Sequence, residues 1–183
     1  ADLEAELAKP AAWDGARPPG GAFAYANMNY PVVAAVIEGA TGERFDRAMQ
    51  RLVFQPLGLD ACFNWPTCGD AAVARAVVLY GADGAVQRDD LGGRRPDCPV
   101  VPASDGGCDL TRYRLAHHGA GFSPQGGLRI SANGLARIGI LFLRGGETFL
   151  KPESLTRLAA MAAVHPTSGE GTDGFFCEYG MAM

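Results

Sequence analysis

Apolar residues recur at helical spacing in several stretches of the chain and at strand spacing in another. Leu3 and Leu7 define a short helical piece over Asp2 to Leu7, which Pro10 stops. From about Pro31 a helix runs to Gly39 or Thr41, with Val33, Val36, Ile37 and Ala40 on one face. Pro31 suits its first turn, and Gly42 supplies a left-handed stop. A second helix follows with Phe45, Met49, Leu52 and Val53 inward, and Pro56 beyond its end. Later in the chain, Ser131 is an N-cap candidate for a helix carrying Leu135, Ile138, Leu141 and Phe142, closed by Gly145-Gly146. Pro152 opens another, with Leu155, Leu158 and Met161 inward.

Residues 75–89 predict a hairpin: Ala76 to Tyr80, a turn over Gly81-Ala82-Asp83-Gly84, then Ala85 to Arg88. The stretch 90–125 has no period and is long for a structureless connection, which points to a functional or crosslinked loop. The chain shows no internal repeat and no division into two self-sufficient domains. Tyr179 to Met183 reads as the beginning of a strand.

Composition narrows the class. The chain has 183 residues, 48% hydrophobic and 20% charged, which is ordinary for a folded domain and unlike a disordered one. A net charge of −4 argues against non-specific binding to nucleic acid or anionic membranes. No apolar run approaches the roughly 20 residues that span a bilayer.

Five cysteines lie at Cys62, Cys68, Cys98, Cys108 and Cys177, with no Cys-x-x-Cys or Cys-x-x-His spacing for zinc. The first four sit in loops rich in Pro, Gly and Asp, where a crosslink stabilises most. Disulfides Cys62–Cys68 and Cys98–Cys108 are therefore expected, in an oxidising compartment, with Cys177 left over. The alternative is that all five are small buried hydrophobes.

The densest chemical signal is Pro19-Gly20-Gly21-Ala22-Phe23-Ala24-Tyr25-Ala26-Asn27. Tyr25 and Asn27 are two residues apart, so in an extended backbone both side chains leave one face. A phenol and a carboxamide aimed at one point, just ahead of a helix, can move a proton and hold a substrate amide. A free phenol has a pKa of about 10, so it needs neighbouring positive charge to act as a base at neutral pH. The helix dipole downstream supplies part of it.

The same order continues with Glu38-x-x-Thr41-Gly42, Gln55-Pro56-Leu57-Gly58-Leu59 and Gln125-Gly126-Gly127-Leu128-Arg129-Ile130-Ser131. Together these motifs, over roughly residues 15–183, resemble the serine β-lactamase and penicillin-binding-protein superfamily, in particular its class C and esterase-like branch. The resemblance implies an α+β, β-lactamase/transpeptidase-like fold. The chain would cover mainly its helical lobe, a β-hairpin and the start of a returning strand, as part of a single domain. In such enzymes a serine of a Ser-x-x-Lys box is acylated by an amide or ester, and water then cleaves the acyl-enzyme. Tyr25 would shuttle protons to and from that serine, and Asn27 would hold the substrate carbonyl and the lysine. No cofactor and no metal are implied.

The nucleophile box itself is missing from the sequence. Ser104, Ser123, Ser131, Ser154 and Ser168 are followed three residues on by Gly107, Gly126, Gly134, Arg157 and Gly171. The chain thus reads as an interior segment, inactive alone, of a periplasmic or secreted serine hydrolase whose partner is a small-molecule or peptidoglycan-like substrate. The alternative is a non-catalytic binding homologue. Gly121-Phe122-Ser123-Pro124-Gln125 fails the Gly-x-Ser-x-Gly elbow at Gln125. His117-His118-Gly119 formally matches a His-x-Gly box, but it precedes the Gly-Gly segment and reads as a polar loop pair. His165 fails that match.

Overall fold

The protein is described by a computed structural model covering residues 2–16, 18, 26–122, 124–164 and 178–180. The chain forms two compact units, one of residues 1–10 and 28–131, the other of 11–27 and 132–183.

In the first unit, helix α1 (Leu3–Leu7) starts at Asp2, whose carboxylate accepts the Glu4 N–H at 3.0 Å. Helix α2 spans Asn29–Thr41 and ends where Gly42 adopts φ 69° and donates its N–H to the Glu38 carbonyl at 2.9 Å. The sequence pattern placed Val33 and Val36 inward, but they are 51% and 66% exposed. The buried stripe is Pro31, Ala34 and Glu38 instead. Ala34 and Glu38 are both fully buried.

Helix α3 (Phe45–Met49) continues into a wider π-helical turn over Gln50–Phe54. A π turn carries an extra residue, so every position beyond it rotates relative to an α-helix. Within this wider turn Leu52 is exposed and Phe54 enters the core at 2% exposure. Phe45, Phe54 and Phe63 then form one aromatic group, with Phe63 centred 4.9 Å from Phe45 and 5.7 Å from Phe54.

Strand β1 (Ala61–Phe63) leads into the short helices α4 (Asn64–Thr67) and α5 (Asp70–Ala74). Strands β2 (Leu79–Tyr80) and β3 (Val86–Arg88) form the expected hairpin, shortened because the chain leaving α5 occupies Arg75 to Val78. The described residues of 90–125 form two single turns and one isolated antiparallel bridge, Pro102 to Cys108, and are otherwise irregular, as the lack of period predicts. Strand β4 (Leu128–Ile130) then returns to pair antiparallel with β1, Cys62 opposite Arg129. Disulfides join Cys62 to Cys68 and Cys98 to Cys108. This is the pairing predicted from loop position; Cys177 lies outside the described residues.

In the second unit, α6 (Ala132–Leu143) buries Gly134 and Leu141 and leaves Leu135 57% exposed, against the expectation that Leu135 faces inward. Gly146 closes it with φ 80°, donating to the Leu141 carbonyl at 2.8 Å. Helix α7 (Pro152–Ala159) begins on its proline as predicted. It stops short of Met161, which opens strand β5 (Met161–Val164), antiparallel to β6 (Glu178–Gly180).

Because the π turn directs Phe54 into a packed aromatic group, Phe54→Ala should cost about 3–5 kcal/mol. Leu52→Ala, on the exposed side of the same turn, should cost under about 1 kcal/mol. Urea denaturation of the two variants measures the difference.

Candidate active site

Asn27 is exposed and lies in a turn, two positions before α2 in the sequence. Tyr25, like Ser123 and His165, lies outside the described residues. Within the first unit, α2 is fixed from its C-terminal end.

That fixing is electrostatic. Glu38, on the last turn of α2, is fully buried. Its Oε1 accepts the Phe45 N–H at 2.8 Å and the Tyr113 hydroxyl at 2.5 Å, and its Oε2 accepts the Ala116 N–H at 2.7 Å. A buried carboxylate is tolerable only when such donors replace its water. Arg44 forks onto Asp46 with contacts of 2.9 and 2.8 Å, and its guanidinium lies over the rings of Tyr113 and Phe122. Burial, followed by the hydrogen bond to Glu38, pushes the Tyr113 phenol far above its ordinary pKa. Tyr113 is thus a fixed donor and cannot serve as a base.

A second polar group organises the Gly-Gly segment. The Gly127 carbonyl accepts the Asn64 N–H at 2.7 Å, and the Asn64 carboxamide donates to the Gly121 carbonyl at 2.9 Å. Trp65 follows, its indole N–H donating to Asp89 at 2.6 Å. Asp89 also accepts from Arg129 at 3.1 Å, and the Arg129 guanidinium rests over the Trp65 ring at 5.3 Å. Both Asn64 and Asp89 hold left-handed backbone, φ 38° and 64°, a conformation Asn and Asp tolerate better than most residues.

The histidine pair is structural. His118 Nδ1 accepts the Arg114 N–H at 3.0 Å, and the ring meets Tyr113 edge-on at 5.5 Å. Burial lowers its pKa. Ligand atoms of His117, Asp2 and Glu4 lie within 4.8 Å of one another. The Arg114 guanidinium reaches Asp2 and both His117 ring nitrogens at 3.3 Å, so a cation of the protein already occupies that cluster.

A family model described as Beta-lactamase matches residues 2–183. The chain belongs to the β-lactamase family. Its fold is also that of a solved octameric penicillin-binding protein homologue from Pyrococcus abyssi, at a TM-score of 0.55 and 16% identity. That match covers 89% of this chain and 30% of the homologue, so the family segment described here spans under a third of that relative's length. No curated protein matches the chain. Among the described residues of this β-lactamase-family chain, no helix is long and apolar enough to cross a membrane. The sequence signal that reading for chemistry passed over is Glu38: it stood inside a quoted motif, but its role depends on Tyr113 and Ala116, far away in the chain.

Tyr113 gives the network a pH signature. Its pKa is raised on folding, so the unfolded state loses that proton first, above about pH 10. Stability from this group is complete below that pH and falls above it, by up to about 1.4 kcal/mol per pH unit. Tyr113→Phe should flatten this alkaline slope in denaturation curves. At neutral pH the same substitution should cost about 1–3 kcal/mol, because Glu38 loses a donor.

Proposed function

We propose that this chain is the central part of a serine hydrolase that acts through an acyl-enzyme on amide or ester substrates. The observation that carries the reading is family membership across residues 2–183 together with Tyr25-x-Asn27 set just ahead of α2. Tyr25 moves protons between the attacking serine, the substrate and the leaving group. Asn27 holds the substrate carbonyl. The positive end of α2 favours the phenolate form of a nearby tyrosine. No Ser-x-x-Lys occurs in the 183 residues, so on this reading the nucleophile belongs to sequence outside them. The disulfides suit a periplasmic or secreted protein.

The missing serine box also supports a second reading, a penicillin-binding-like homologue that binds without turnover. The two differ in the parent polypeptide, where a Ser-x-x-Lys box that accepts a fluorescent penicillin covalently marks the enzyme.

The 183-residue chain alone should neither hydrolyse nitrocefin or p-nitrophenyl esters nor become labelled by a fluorescent penicillin. Stoichiometric labelling of any of its serines would place the nucleophile within it. In the parent, Tyr25→Phe keeps the ring and removes the ionisable oxygen, so turnover should fall by about 10²–10⁴-fold. Asn27→Ala should both slow turnover and weaken substrate binding. A Tyr25→Phe parent with full turnover would reduce Tyr25 to a packing residue.

A further inference from the structure

The first unit contains a cavity of about 670 Å³ walled by α5, the β2 strand and the β1–β4 pair. Every residue lining it falls between Asp60 and Ser131, so none belongs to the Tyr25–Asn27 segment. The volume lies in the range of about 300–1,000 Å³ typical of small-molecule sites. Its walls combine two kinds of surface. Val77, Leu79 and Ile130 present apolar side chains, with Val77 73% and Leu79 49% exposed. Trp65, Asp89 and Arg129 form the polar end.

Arg129 is incompletely satisfied. One terminal nitrogen donates to Asp89, and the other makes only long contacts, 3.4 and 3.3 Å, to the Gly126 and Leu128 carbonyls. Its Nε is buried with no hydrogen-bond partner, the one such side-chain atom among the described residues. A guanidinium whose terminal nitrogen makes only long contacts favours an incoming anionic acceptor. Asp89 Oδ1 already accepts both the Trp65 indole N–H and the other terminal nitrogen of Arg129. A second guanidinium, Arg75, stands on the cavity wall, 61% exposed. Its pair with Asp60, itself 80% exposed, is of the solvated kind that contributes little and gives way readily.

We propose that this cavity is a binding site for a small organic carboxylate with an apolar body. The apolar body lies against Val77, Leu79 and Ile130, displacing water from exposed hydrocarbon. The carboxylate accepts from the terminal Arg129 nitrogen that makes only long contacts to the Gly126 and Leu128 carbonyls, and draws on Arg75 for charge. A neutral amide of the same shape keeps the first contribution and loses most of the second.

Trp65 reports occupancy. The sequence has two tryptophans, so in a Trp13→Phe background of the full 183-residue chain only Trp65 emits. The probes are 3-phenylpropanoate, its amide 3-phenylpropanamide, and acetate. The expected result is a saturable change in Trp65 emission with 3-phenylpropanoate, about tenfold weaker binding of the amide, and no saturation with acetate. Arg129→Lys keeps the charge but lacks the Nε donor and the planar fork, and should weaken 3-phenylpropanoate about tenfold. Leu79→Glu puts a carboxylate on a half-exposed wall without touching either ion pair, and should abolish binding of 3-phenylpropanoate even if Arg129→Lys fails to fold. The proposal is overturned if 3-phenylpropanoate shows no saturation up to about 10 mM. Equal affinity for acid and amide, or unchanged affinity in Leu79→Glu, overturns it as well.

Discussion

A single buried carboxylate ties the first unit together. Glu38 is fully buried, and its carboxylate accepts from the Phe45 N–H, the Tyr113 hydroxyl and the Ala116 N–H. These donors come from the start of α3 and from two places in the segment 90–125, beyond its one isolated antiparallel bridge between Pro102 and Cys108. The carboxylate thus does for a long loop what backbone pairing does for a strand. It demands that the donors converge, because removing one leaves a desolvated charge short of partners, a penalty larger than the hydrogen bond's net value. The orientation of α2 within the first unit follows.

The sequence-legible part of the fold is the part governed by local rules. Gly42 and Pro152 marked a helix end and a helix start because their backbone limits act within a residue or two. The turn Gly81 to Gly84 marked the hairpin for the same reason. The inward faces were less legible. Val33 and Val36 are more hydrophobic than Ala34 and Glu38, yet the latter two are buried, Glu38 within a long-range polar network that outweighs side-chain hydropathy. Likewise, no spacing rule anticipates a π turn, and that turn decides that Phe54 rather than Leu52 reaches the core. Strands β1 and β4 are three residues each, too short to show alternation, and exist because each completes the other.

The candidate site was legible in a different way. Tyr25 and Asn27 were found by residue type, spacing and order along the chain, none of which needs coordinates. Arg129 was quoted only as part of a Gly-Gly-Leu motif. Its neighbours Trp65 and Asp89 come from 64 and 40 positions earlier in the chain, and only folding brings the three together. Strand pairing sets Arg129 opposite Cys62, so the crosslinked Cys62–Cys68 turn and the polar end of the cavity share one strand register.

The Cys98–Cys108 bridge alters how this chain comes apart under proteolysis. It closes a loop with a sequence separation of 10 in the longest irregular segment, where exposed backbone gives proteases the easiest access. A single cut inside that loop releases nothing, since the two products remain covalently joined through sulfur. The Glu38 network survives it too, because Tyr113 and Ala116 lie beyond the loop and keep their place. A nicked molecule would keep its intact size in the absence of reductant and separate into two pieces only once the bridge is reduced.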